Sequence, residues 1–190
     1  MSAQLDDRDE LLVRRAQTGD TEAFGKLVER YMRRAYYAAL GLVGSPDDAM
    51  DLSQEAFARA FRHRGKIDPE RPFYAWLYQI LRRLCFNFVR DRRTRRQKLS
   101  EASEWLAEQA DARVASPRPD RALELVECRR RVLAAIESLP ERDREVLVLK
   151  EFEGLRYREI ADLIGIPIGT VMSRLYTARK RLAAALEEQR

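Results

Sequence analysis

Histidine is almost missing from this chain of 190 residues, with one copy, and cysteine has only two. His63 has no Cys or His close to it in sequence, so no His/Cys metal site is expected. Cys85 and Cys128 lie far apart within helical patterns, which argues against a disulfide framework or a CxxC zinc site and leaves two plain thiols. Glycine is sparse as well, with 8 copies, of which Gly41 and Gly44 are the nearest pair. Neither GxGxxG nor GxxxxGK[ST] occurs, so the phosphate cradle of a nucleotide-using enzyme is missing and no cofactor or catalytic residue is expected. Long apolar runs are also lacking. The longest stretch without charge runs from Ala35 to Pro46, about a dozen residues, whereas a membrane-crossing helix needs roughly 20. Asp6, Asp7, Asp9 and Glu10 stand where a secretion signal would be basic and then apolar, so a cytoplasmic protein without membrane insertion is expected.

Charge and helical periodicity are what the chain does have. Hydrophobic residues make up 45% and charged residues 35%, the balance of a helix-rich folded chain with many surface ion pairs. The net charge of +5 is concentrated: residues 67–98 hold nine basic against three acidic side chains. Arg82, Arg83, Arg90, Arg92, Arg93, Arg95, Arg96 and Lys98 fall in this stretch. A merely solvated helix face would carry more compensating acids, so the natural partner is a polyanion, bound in a salt-dependent way that is indifferent to base sequence.

Apolar spacing divides the chain into two helical blocks. Leu11, Leu12 and Ala16 open a short helix that Gly19-Asp20 ends, and Phe24, Leu27, Val28, Tyr31, Ala35, Ala38 and Leu42 mark a long second one. Ser45-Pro46-Asp47-Asp48 supplies a cap, a first-turn proline and two carboxylates at the positive end of the next dipole. That third helix has an apolar stripe of Ala49, Leu52, Ala56, Phe57, Ala60 and Phe61, with Asp48, Asp51, Gln54, Glu55 and Arg59 mostly opposite. A loop from His63 to Pro72 follows, then a helix with Phe73, Trp76, Leu77, Ile80, Leu84 and Phe88 on one face that runs into the arginines. From about Thr94 to Arg121 the pattern weakens and turns acidic, which reads as a tether, with a short helical turn around Glu104-Trp105-Leu106 and Trp105 as an indole that could dock elsewhere.

The second block restarts with Leu123, Val126, Val132, Leu133 and Ile136 and turns a corner at Leu139-Pro140-Glu141. Residues 157–164 form a short amphipathic helix, Gly165-Ile166-Pro167 a turn, and Val171, Leu175, Ala178, Leu182 and Leu186 the stripe of a longer helix. Small Ala161, the turn glycine and β-branched Val171 are what two helices crossing steeply at close range require, the mark of a helix-turn-helix. Its outward Thr170, Met172, Ser173, Tyr176, Thr177, Arg179 and Lys180 can read a major groove and hold phosphates. An ordinary helical hairpin is the bland alternative. The expected fold is all-α: two small helical domains, 8–93 and 123–187, joined by a flexible acidic linker over 94–122, the second containing the helix-turn-helix.

Five strings in this order resemble the extracytoplasmic-function (ECF) group of bacterial sigma factors, the small promoter-recognition subunits of RNA polymerase. They are Ala16-Gln17-Thr18-Gly19-Asp20 with Ala23-Phe24, Asp51-Leu52-Ser53-Gln54-Glu55-Ala56-Phe57, Phe73-Tyr74-Ala75-Trp76-Leu77-Tyr78, Leu139-Pro140-Glu141-Arg142, and Gly169-Thr170-Val171-Met172-Ser173-Arg174-Leu175. The resemblance implies that Asp48, Asp51, Gln54, Glu55 and Arg59 dock on core RNA polymerase. It implies that the loop after His63 and the next helix capture the minus-ten promoter element as it melts, where stacking and a basic groove compensate for unstacked bases. Phe73, Trp76 and Phe88 fall on the apolar stripe and read as core, leaving Tyr74, Tyr78, Phe86 and Asn87 as contacts beside Arg83, with Arg90, Arg92 and Arg93 on phosphates. Thr170, Met172, Ser173, Arg174, Tyr176, Thr177, Arg179 and Lys180 would meet the minus-35 element. Relatives often carry Asn at the position of Arg83 and Arg at those of Met172 and Thr177, so base preference is expected to depart from the common pattern. The resemblance further implies an anti-sigma partner and an acidic linker threading the polymerase cleft. Two other readings stand beside it. A dimeric regulator that binds operators unaided accounts for residues 157–187 alone. A helical enzyme would use Asp47, Asp48, Asp51 and Glu55 on a metal, without the Glu-x-x-His pairs of di-metal bundles.

Overall fold

The computed structural model describes residues 3–106 and 121–188, and its regular structure among them is helical throughout. Helix α1 (Ala3–Gln17) turns at Gly19 into α2 (Thr21–Val43). Asp20 caps α2 by accepting from the Ala23 amide at 3.0 Å, and that bond, with Arg15 beside it, holds its carboxyl below the usual range. Gly44 closes α2 in the left-handed region, φ 76°, a conformation that suits glycine. Ser45 then caps α3 (Pro46–Arg62), accepting from the Asp48 amide, with Pro46 in the first turn as its sequence predicts. Ala49, Ala56, Phe57 and Ala60 are buried, and Leu52 and Phe61 pack at the edge of the same core.

After a short 3-10 turn (Arg64–Lys66), α4 runs from Phe73 to Leu106, well past the expected boundary near 93. Residues 94–106 contain neither Gly nor Pro. The weak apolar pattern there does not break the helix. Residues 107–120 of the expected tether lie outside the described part of the chain, as does the Trp105 side chain. The second block comprises α5 (Arg121–Glu137), α6 (Glu141–Glu151), α7 (Tyr157–Ile164) and α8 (Ile168–Glu188). Gly165, φ 69°, makes the tight turn between α7 and α8, and Val171, Leu175 and Ala178 are buried beneath it. Leu11 departs from its stripe and is exposed.

An aromatic cluster anchors the first block: Phe24 packs edge-on against Phe61 and Phe73, and Tyr31 lies against Phe73 and Tyr74. Asp9, buried on α1, accepts from Arg30 and from the Tyr31 hydroxyl, tying α1 to α2. The two blocks do not stand apart, and one apolar core runs from Leu12 to Ala178. At its centre Arg144, 4% exposed, donates to the carbonyls of Leu42 (2.6 Å), Glu137 (2.8 Å) and Leu139 (3.0 Å), joining α2 to the corner before α6.

Candidate nucleic-acid interface

Three outward surfaces carry the residues nominated by sequence. On α3, Asp51, Gln54 and Arg59 are exposed and Asp48 and Glu55 half-buried, opposite the buried alanines. Glu55 accepts from Arg59 (2.7 Å) and Arg62 (3.1 Å), which holds its carboxyl below the usual range. Asp48 stands 4.0 Å from Arg92 of α4, so this face reaches the edge of the arginine cluster.

On α4, Arg83, Asn87 and Arg90 recur at helical spacing along one exposed side, with Arg93 exposed beyond them. Phe86 is half-buried, with the Arg82 guanidinium over its ring at 4.8 Å. Tyr74 and Tyr78 do not belong to this surface. The expectation that they meet DNA directly is corrected here: they are 4% and 0% exposed. The second block covers them. Tyr74 donates its hydroxyl to Glu153 (2.6 Å) and Tyr78 donates to Glu145 (3.2 Å). Burial, with the adjacent carboxylates, pushes both hydroxyls above the usual tyrosine range. Arg34 lies over the Tyr74 ring at 3.7 Å and donates to Glu153 at 2.5 Å; burial still pushes the Glu153 carboxyl above its ordinary value. Arg82 forks onto both oxygens of the fully buried Glu145, which raises its pKa. Arg92 is half-buried, bound to Glu137.

Trp76, read from sequence as core, is only partly buried. It lines an open pocket with Arg59, His63, Gln79, Ile80, Arg82 and Arg83, between the end of α3 and the middle of α4. An indole edged by guanidinium groups is the kind of surface on which an unstacked base can lie. Arg34, Glu137, Glu145 and Glu153 were missed by sequence reasoning because their partners lie far away in the chain, beyond any periodic signal.

On α8 the outward face is bare. Met172 is 53% and Tyr176 73% exposed, Ser173, Arg179 and Lys180 are exposed, and Thr170, Arg174 and Thr177 are half-buried at its edges. Ser173 and Thr177 donate their hydroxyls to carbonyls one turn back, leaving their lone pairs outward. Arg179 donates to Glu151 (2.6 Å) and Arg181 to Asp143 (2.6 Å), so α6 carboxylates orient the basic flank of the face.

Two family models match these surfaces in order: Sigma-70 region 2 over residues 27–95, and Sigma-70, region 4 over residues 129–182. The chain is 35% identical over 184 residues to the ECF RNA polymerase sigma-E factor of Escherichia coli, covering 96% of this chain and 95% of that one. The chain belongs to the ECF sigma factors. It is also 35% identical over 187 residues to the RNA polymerase sigma-H factor of Pseudomonas aeruginosa, covering 95% of each. Among solved structures it is similar to CnrH in complex with the cytosolic domain of CnrY, with TM-score 0.69 and 26% identity, covering 96% of this chain and 99% of that one. This sigma factor thus has an all-α fold whose first block, α1–α4, carries region 2 and whose second, α5–α8, carries region 4. Members of the family are transcription-initiation factors. No helix among the described residues is long and apolar enough to cross a membrane.

Proposed function

We propose that this sigma factor joins core RNA polymerase through the α3 face, holds the melting minus-ten strand along α4 and reads the minus-35 element with α8. The observation that carries the reading is the placement of two exposed basic faces on separate blocks of one chain: Arg83, Asn87, Arg90 and Arg93 on α4, and Met172, Ser173, Tyr176, Arg179 and Lys180 on α8. A regulator binding operators unaided has use for the second alone. The α3 carboxylates and amide, Asp48, Asp51, Gln54 and Glu55, form the polar face that would dock on the polymerase, with Arg59 as their outer flank.

Opening a duplex without nucleotide hydrolysis requires that lost stacking be replaced, each base stacked on protein contributing about 1–3 kcal/mol. Trp76, in its basic pocket, and Phe86 are the rings placed for this, while Arg90, Arg92 and Arg93 neutralise phosphates. At the other element Met172 offers an apolar surface to a thymine methyl where relatives offer an arginine fork to guanine. The chain acts in the cytoplasm, where polymerase and chromosome are, and catalyses no step itself. Its control passes through an anti-sigma protein that competes with core enzyme; the similar CnrH was itself solved with a protein bound, the cytosolic domain of CnrY. Run-off transcription with purified core enzyme on a promoter library tests the proposal: selective initiation that appears only with this chain supports it. Specific operator binding in a gel shift without polymerase, with no selective initiation, favours the free-standing regulator.

A further inference from the structure

One cleft is lined by α4, the start of α6 and α8, and its two parts share Arg93, Pro140 and Glu141. The inner part, about 500 Å³, has apolar wall from Val89, Leu139 and Pro140. The outer part, about 700 Å³, is open and bears Arg93 of α4, Arg142 of α6 and Arg174 and Arg181 of α8. Two cations of the cleft are already neutralised, Arg92 by Glu137 and Arg181 by Asp143 at 2.6 Å. Arg93, Arg142 and Arg174 are not: among the described residues their side chains make no ion pair and no hydrogen bond. Glu141 is the one carboxylate left on the outer wall to set against these three. Pro140 at the N-cap of α6 makes no side-chain cap, so the positive end of that helix adds to the surplus. On the inner wall Arg144, 4% exposed, hydrogen-bonds to carbonyls alone, and its Nε has no partner.

We propose that this cleft binds an oligophosphate, with its phosphates on Arg93, Arg142 and Arg174. Guanidinium groups scattered over a surface are each satisfied by water, but three that converge on one opening repel one another, a cost that an anion between them removes. Each presents a fork of donors that matches the oxygens of a phosphate. A lone carboxylate matches one such fork, whereas a chain of phosphates reaches all three. The apolar inner wall leaves room for a nucleoside that carries them, and the volumes lie within the roughly 300–1,000 Å³ of small-molecule sites. The site does not depend on the promoter reading, in which Arg142 and Arg144 have no part. An occupied cleft engages Arg93 and Arg174, so on that reading the ligand competes with both promoter elements.

The test is isothermal titration calorimetry of the full chain with sodium triphosphate, ATP and GTP. It is run at about 0.15 M salt, where attraction from charges beyond roughly 8 Å is screened. The native chain shows one saturable site. Arg142→Gln and Arg93→Gln, changes at exposed side chains on different blocks, each weaken binding about tenfold and leave the melting temperature of the free chain unchanged. Arg158→Gln, which removes an equally exposed charge on α7 outside the cleft, leaves the affinity as it was. ATP or GTP binding about tenfold tighter than triphosphate identifies a nucleoside-borne ligand, and equal or weaker binding identifies the free oligophosphate; both support the site. Three results overturn the proposal: no saturable binding of any of the three probes, a loss from Arg158→Gln equal to that from Arg142→Gln, or a loss from only one of the Arg93 and Arg142 variants. Failure of the sigma-factor reading looks different, because selective initiation is then missing while the calorimetry, done without polymerase or DNA, still decides on the cleft.

Discussion

Two helices carry the basic residues proposed for recognition, and they present them in opposite ways. On α8 the face is uncovered: Tyr176 is 73% and Met172 53% exposed, and the acids that touch its arginines, Glu151 and Asp143, lie at the flank. On α4 half of the nominated residues point outward, while Tyr74 and Tyr78 are sealed and Arg92 is bound by Glu137 of the other block. The difference fits the roles proposed for the two helices. Duplex DNA presents its groove edges without rearrangement, so α8 can be ready-made. A melted strand exists only after the duplex opens, and a permanently exposed strip of aromatic and basic residues would bind any single strand by stacking and charge.

The strongest perturbation of this comparison is at the joint between the blocks. Arg144→Met removes three bonds to backbone carbonyls, one of them on α2, and is expected to cost about 3 kcal/mol in urea unfolding. A loss below about 1 kcal/mol would mean that the joint contributes little to the fold. Next is the α8 face: Ser173→Ala with Arg179→Ala is expected to lower minus-35-dependent transcription by about tenfold while initiation that relies on the minus-ten element persists. Retained dependence would move recognition to another surface. Comparable in size, Asp51→Ala with Gln54→Ala is expected to weaken core-polymerase binding by about tenfold in a titration, without a change in melting temperature, because both side chains are exposed. The smallest effect is expected from Arg92→Ala with Arg93→Ala, which should slow open-complex formation and flatten its salt slope by about 1.4 for two single-strand phosphate contacts. An unaltered slope would make these arginines bystanders.

Much of this was legible in the sequence because it is local. The α3 cap at Ser45-Pro46, the stripe of Ala49, Ala56, Phe57 and Ala60, and the turn at Gly165 all depend on residues within a few turns of one another. The outward residues of α8 followed from the same periodicity. Tyr74 and Tyr78 were misread because helical spacing places them beside the apolar stripe, and their cover comes from Glu153 and Glu145, far along the chain. Trp76 packs against the core as its stripe predicts but is only partly buried. It lies on the stripe but near the end of α3, where the core thins into an open pocket. The extent of α4 beyond 93 was hidden because a polar helix and a polar tether have similar composition; only the lack of Gly and Pro over 94–106 separates them.

The division of labour between the two faces can be measured directly by photo-crosslinking in the assembled polymerase on a promoter chosen by run-off selection. Probes are placed at Asn87 on α4 and at Tyr176 on α8. The account predicts adducts from position 87 on minus-ten bases of the strand displaced by melting, and from position 176 on the minus-35 duplex. Adducts exchanged between the two elements, or absent from both while initiation proceeds, would contradict it.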